Sequence, residues 1–374
     1  MLPDFAKESR WGAPPWTIDF RPEPRALPAQ VDFAVVGGGF TGLAAAAWLR
    51  HAAPEKSVAL LEMDAIGAGS SGRTGGLALA ETSAGDLPGL GDVLGGFSET
   101  LRKLGVECDL TLPGAWELAR RNSLPDSPIS WNDSGDLRAV NEVPGGTIDP
   151  GKMVSGLARA AQGRGALILE QAQVENVSFG DPLRLAVAGK KLRAHGVLFA
   201  SNAQSLELSG LADRARPMFA LAAATAPLVE AQLAEMGLAS GKPFYTIESP
   251  YLWGRLLASG GIVFGSGLVH LDDWRKLAAL DVTTGAPAES FARLERRVRG
   301  MHPGLRSVEF THRWGGPILV AEGWRPVFRR HTGSSRALVL GAYSGHGVAL
   351  SVYLGRWAAE VMLGRRELPA WDSA

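Results

Sequence analysis

The hexapeptide Gly37-Gly38-Gly39-Phe40-Thr41-Gly42 constrains this chain most, because it joins a short apolar run, Phe33 to Val36, to an alanine-rich segment, Leu43 to Leu49. The run reads as a buried strand and the segment as a helix, and Ser57 to Leu61 supplies a second buried strand. Strand, glycine turn, helix and strand within about thirty residues make the βαβ unit of a parallel sheet. Each glycine has its own task. Gly37 permits the tight turn, Gly39 lets backbone N–H groups approach a pyrophosphate at the helix N-terminus, and Gly42 lets the helix pack closely on the strand. Glu62, twenty residues beyond Gly42, is placed to accept a ribose 2′-OH, and its charge would repel a 2′-phosphate. The motif predicts a dinucleotide site that disfavours NADP, and by itself it does not separate NAD from FAD.

Further α/β alternation follows downstream. Pro150 to Ala161 reads as a helix, Ala166 to Glu170 and Gly196 to Ala200 as strands, and Ala337 to Leu340 as a strand leading through Gly345-His346-Gly347 into a helix over Val348 to Leu363. Between these blocks, Met218 to Thr225, Phe244 to Leu257, Ile262 to Leu268 and Val308 to Trp314 are β-type runs without regular helices, which predicts an antiparallel sheet. Residues 1–30, rich in proline and tryptophan, read as an extended arm draped over the folded body, with no chemistry assigned to it.

Composition removes other partners. Of 374 residues, 38 are basic and 38 acidic, so no long-range field gathers nucleic acid or an anionic membrane surface. The longest nearly apolar run, Ala34 to Leu49, falls short of the roughly 18 residues a spanning helix needs. The lone Cys108 cannot form an internal disulfide, no Cys/His pair has zinc-type spacing, and Asp4, Lys7, Glu8 and Arg10 precede any apolar stretch. The expectation is a cytoplasmic protein without a metal.

Gly67-Ala68-Gly69-Ser70-Ser71-Gly72-Arg73-Thr74-Gly75-Gly76 puts five glycines and several hydroxyls directly after the ribose-reading strand. Here the chain resembles the D-amino-acid-oxidase-like superfamily of FAD-dependent oxidoreductases, in the branch with glycine, sarcosine and γ-glutamylputrescine oxidases. Gly145-Gly146-Thr147-Ile148-Asp149-Pro150, Leu198-Phe199-Ala200-Ser201-Asn202-Ala203 and Gly341-Ala342-Tyr343-Ser344-Gly345-His346-Gly347-Val348 are similar to three more of its motifs, in the same order. Thr74 stands where asparagine is common, and Glu322 to Val327 is a weaker echo of an Asp-Gly-x-Pro motif.

The resemblance implies an α/β fold, with a Rossmann-like FAD-binding domain (31–80, 146–215 and 321–374) interleaved with an α+β substrate domain (81–145 and 216–320) on an antiparallel sheet. It implies FAD contacts from Gly37, Gly39, Phe40, Thr41, Gly42, Glu62, Met63, Gly69, Ser70, Ser71, Arg73, Thr74, Gly75, Gly76 and Leu77. Further along, Val174 would meet the adenine through its backbone, and Ala200, Asn202, Gly345, His346, Gly347 and Val348 complete the set. No cysteine occupies the Arg313-Trp314-Gly315 region where covalent relatives carry one, so FAD is expected to be noncovalent.

The last helix would aim its free N–H groups and positive dipole end at a reduced flavin. His346 reads equally as a turn histidine bonded to backbone or as an electrostatic group at the ring. On the substrate side, a strand through Tyr251, Trp253 and Arg255 would put all three on one face. Tyr251 and Trp253 could then cage an amine and Arg255 hold a carboxylate, or the three could form an ordinary half-buried face. Trp314 reads as a core residue or as one packed near the ring.

Relatives that oxidise small amino acids carry a basic residue after Gly-His-Gly, whereas this chain has Val348 and Ala349. The expected activity is oxidation of an amine or amino acid to an imine, with dioxygen or a redox partner as acceptor. The alternatives are a 2-hydroxy-acid or polyol-phosphate dehydrogenase, or a flavin-binding subunit without turnover.

Overall fold

A computed structural model describes residues 10–120 and 126–372. The first sheet is built on five parallel strands in the spatial order Ser334–Gly341, Lys190–Phe199, Gln30–Val36, Val58–Leu61 and Leu167–Leu169. Val327–His331 adds antiparallel at one edge, and Leu183–Val187 with Val174–Ser178 form an antiparallel extension of Lys190–Phe199. Ala34, Val35, Leu60, Val197 and Leu198 are fully buried, as a parallel sheet covered on both faces requires.

Every expected element of this half forms; most are longer than expected, whereas Val58–Leu61 and Leu167–Leu169 are shorter. The helices run Phe40–Ala52, Pro150–Gly163 and Gly347–Met362. Asp149 explains the start of the second, since its carboxylate accepts from Lys152 N at 2.8 Å while Pro150 occupies the first turn, where a missing N–H costs nothing. The first and last helices touch closely. A Cβ on Gly355 would lie 2.7 Å from the Thr41 carbonyl oxygen.

The second sheet has eight strands in the order Phe310–Ala321, Ala215–Thr225, Ile262–His270, Trp253–Leu256, Phe244–Thr246, Ala115–Arg120, Asp136–Val143 and Ser130–Asn132. It departs from the expected antiparallel sheet at one seam, where Phe244–Thr246 pairs parallel with Ala115–Arg120. The run expected over 244–257 breaks after Thr246 and resumes at Trp253, because Ser249-Pro250 interrupts it, so Tyr251 lies outside any strand. An isolated bridge between Val320 and Tyr343 links the two sheets.

The arm is a packed part of the body from Arg10 onward, and its first nine residues lie outside the described residues. Trp11 is buried and its indole N–H donates to Leu277 O at 2.9 Å. Gly315 N donates to Trp11 O and Val282 N to Arg10 O. Gly12, at φ +69°, runs so close to the strand Phe310–Ala321 that a Cβ would fall 1.9 Å from Arg313 O. Among the described residues no helix is long and apolar enough to cross a membrane.

Candidate functional site

Parallel strands deliver their loops to one edge, and ligands of such sheets bind outside the carboxyl ends. That edge here carries Gly37 after Val36, Glu62 after Leu61, Ala200 after Phe199, and Ala342 to His346 after Gly341. A cavity of about 1010 Å³ opens between it and the second sheet, at the upper end of the roughly 300–1,000 Å³ typical of small-molecule sites.

Most residues expected to hold the nucleotide meet there. Gly37, Gly39, Phe40, Thr41, Glu62, Gly69, Ser70, Ser71, Arg73, Thr74, Gly75, Leu77, Ala200, Asn202, Gly345, His346, Gly347 and Val348 all line the cavity. Side chains tie these remote stretches together. The Thr41 and Tyr343 hydroxyls lie 2.7 Å apart, while Asn202 accepts from Ala342 N at 3.0 Å and donates to Ser70 Oγ at 3.3 Å. Phe40 N donates to Ser71 Oγ at 2.9 Å.

Met63, Gly42, Gly76 and Val174 do not line the cavity. Gly42 and Gly76 act through the backbone. A Cβ on Gly42 would sit 2.0 Å from Gly37 O, which is the helix-on-strand contact expected of it. Gly76 has φ +80° and its carbonyl accepts from Ile148 N at 2.9 Å. Val174 starts a strand of the antiparallel extension, and its side chain is buried in the core beneath it.

Glu62 is buried, and its two oxygens accept from Gly38 N at 2.6 Å and Asp64 N at 2.9 Å. Burial prevails over those bonds and pushes its carboxyl up to about 7. Burial also holds the His346 imidazole below its ordinary value, so the ring is neutral at neutral pH. Its Nδ1 makes a short contact with Ser83 Oγ, whose single proton is spent on Ser344 O at 2.7 Å. The helix Gly347–Met362 has no side-chain cap, which leaves first-turn N–H groups free at the cavity wall.

The opposite wall differs from expectation. Tyr251 lines the cavity at its exposed rim, held by Arg297, which donates to Tyr251 O and Pro250 O and pairs with the buried Asp133. Trp253 also lines it, its ring filling space that a Cβ on Gly75 or Gly265 would enter. Arg255 does not line it. Its guanidinium is buried behind the glycine-rich loop, donates Nε to Gly75 O, and stacks over Trp16 at 5.6 Å. The sharing of one face fails because Tyr251 lies in the interrupting turn. A carboxylate-holding role for Arg255 has no support from its position.

The sequence reading missed a cluster on this wall. Tyr245 donates its one hydroxyl proton between Glu81 Oε1 at 3.0 Å and Glu117 Oε1 at 2.9 Å, and all three line the cavity. Burial raises the Glu81 carboxyl above its ordinary range, and burial with the two carboxylates raises the Tyr245 hydroxyl. Residue 245 meets residue 117 through the parallel seam, a pairing with no local signal.

The donor set fits a dinucleotide carrying an isoalloxazine. Glu62 offers an acceptor for ribose hydroxyls, and the glycine turn and last helix offer free N–H groups. Thr74 and Gly75 also present backbone N–H groups with no protein acceptor among the described residues. A family model described as DAO, FAD dependent oxidoreductase, matches residues 32–361. Gamma-glutamylputrescine oxidoreductase of Escherichia coli (strain K12) is 26% identical over 382 residues, covering 90% of this chain and 84% of that protein. Two solved structures share the fold. Glycine oxidase from Geobacillus kaustophilus superposes with a TM-score of 0.72 at 17% identity, over 91% of this chain and 96% of its own. L-proline dehydrogenase from P. horikoshii gives 0.71 at 17% identity, over 92% and 96%.

Proposed function

The chain belongs to the DAO family of FAD-dependent oxidoreductases, and from that premise we propose that it oxidises a C–N bond of an amine, with FAD held noncovalently. Bound FAD supplies the two-electron acceptor that takes a hydride from the carbon beside nitrogen. The chain's own residues bind the amine, accept its proton and exclude water.

The carrying observation is the Tyr245 hydroxyl between Glu81 and Glu117. One O–H proton cannot satisfy two carboxylates at once. An ammonium brings three donors and a positive charge to that deficit. The half-buried, raised Glu81 is the group suited to take the proton that an ammonium must lose before its carbon is oxidised. Loss of that proton and of a hydride leaves an iminium ion, the protonated imine, which water hydrolyses to a carbonyl compound and a smaller ammonium. The final acceptor of the electrons would be dioxygen or a redox partner.

Noncovalent attachment agrees with the position of Cys108. It is buried away from the cavity wall, with its thiol pushed up to about 12. An amino acid remains a second reading because Arg293, on the rim, offers a cation for a distal carboxylate. A 2-hydroxy acid has less support, since Arg255 is turned behind the loop.

Anaerobic reduction of the purified yellow protein by a panel of amines, amino acids and 2-hydroxy acids tests this. Amines should bleach the flavin band. Glu81→Gln and Glu117→Gln should each raise the amine concentration for half-bleaching about tenfold, the effect of ~1.4 kcal/mol. Bleaching by hydroxy acids but not by amines would overturn the proposal.

A further inference from the structure

The glycine-rich loop 72–76 is held by side chains of three separate elements, Trp16 and Arg255 from behind and Trp314 at the cavity wall. Trp16 of the arm donates its indole N–H to Gly72 O at 2.8 Å, and Trp314 donates to Arg73 O at 2.9 Å. Arg255 donates to Gly75 O, and Ile148 N takes Gly76 O. The carbonyls of 72, 73, 75 and 76 are thus engaged by protein donors, whereas Thr74 and Gly75 N–H have no acceptor among the described residues although Gly75 is buried. A buried N–H without an acceptor is costly unless a ligand supplies one.

Peptide planarity makes the arrangement directional. In a trans peptide the C=O of residue 73 and the N–H of residue 74 point opposite ways. Trp314, buried but itself at the cavity wall, is bonded to Arg73 O and so fixes the opposite direction of the Thr74 N–H, and Thr74 lines the same cavity. A donor on the carbonyl also polarises the N–H across the same peptide. Trp16 fixes the preceding peptide and braces Trp314 edge-to-face at 5.4 Å. The arm cannot shift cheaply. Ile18 Cδ1 would be 2.7 and 2.9 Å from Cβ atoms on Gly67 and Gly72, and Thr17 O would be 2.1 Å from one on Gly151.

We propose that Trp314 and the arm residue Trp16 are positioning residues for the flavin, holding loop 72–76 so that Thr74 and Gly75 donate to it and raise its electron affinity. The inference rests on the reading that this cavity binds FAD. Reduction adds negative charge to the flavin, so fixed donors stabilise the reduced form more than the oxidised one. Two guanidinium groups act in the same direction: Arg73, partly buried, bonds Ala68 O in this loop region and Gly12 O of the arm, Arg255, buried, bonds Gly75 O, and burial leaves both still charged at neutral pH, at about 10.

The test is the midpoint potential of the bound flavin, measured by anaerobic titration against reference dyes in wild type, Trp314→Phe, Trp16→Phe and Trp357→Phe. Each variant keeps a ring and loses one indole N–H. Trp357 serves as the matched comparison, because its N–H bonds Glu367 O at 2.7 Å and it does not line the cavity. Trp314→Phe should shift the reduced-to-oxidised ratio about tenfold toward oxidised, or about 30 mV for a two-electron couple. Trp16→Phe should shift it about threefold the same way, and Trp357→Phe should leave it unchanged.

An unchanged potential in Trp16→Phe, or equal shifts in Trp16→Phe and Trp357→Phe, would overturn the inference. Trp16→Phe decides the matter alone if Trp314→Phe does not fold. Wild-type protein that takes up no FAD would instead overturn the cofactor reading on which the inference rests.

Discussion

Glu62 couples the nucleotide site to proton uptake. Its carboxyl lies near 7 in the folded apoprotein against an ordinary 4.5, so the folded state holds a proton that the unfolded chain has released between those values. Stability of the apoprotein should therefore fall as pH rises from 4.5 to about 7, by up to ~3 kcal/mol, and level off above. Thermal melts of apoprotein across that range check this, and Glu62→Gln should flatten the dependence. The same substitution should weaken FAD binding about tenfold, since a ribose hydroxyl loses a charged acceptor. Equal melting temperatures at pH 5 and 7.5 would contradict the first expectation. This residue was legible in the sequence because its spacing from Gly42 is local. Tyr245 was not, because its meaning comes from Glu81 and Glu117, which lie far away along the chain.

At the level of elements, the glycine positions carry contacts that a single methyl group would break. Gly42→Ala would drive a Cβ to 2.0 Å from the Gly37 carbonyl, where backbone cannot give way cheaply. It should cost about 1–3 kcal/mol and loosen FAD binding, read by denaturant unfolding and flavin retention. Asp149→Ala removes the cap of the helix Pro150–Gly163 and should cost ~1 kcal/mol without changing the flavin spectrum. The parallel half was readable because its strands and helices follow local hydrophobic period, and the structure moved only their ends. The second sheet was read less well. Its parallel seam and the turn that displaces Tyr251 depend on which distant strands pair, and the helices Val93–Leu104 and Gly285–Met301 went unassigned. The arm was seen as an extended segment, but its grip on loop 72–76 needs the fold.

For the whole molecule, we propose that the first sheet with its helices forms the FAD-binding part and the second sheet the substrate part. FAD binding should then report on both, because the cavity wall draws on each. Saturation at a hundred times the dissociation constant should add about 2.7 kcal/mol to stability. Acid precipitation should release all the flavin and leave a colourless pellet, whereas a yellow pellet would show a covalent bond.

The hydroxyl contact between Thr41 and Tyr343 spans 302 positions of sequence. During synthesis the glycine turn leaves the ribosome long before its partner has been made, and the last wall of the pocket arrives with the final helix. A fragment that stops before residue 341 would therefore lack this wall, and the glycine turn alone should hold the cofactor poorly.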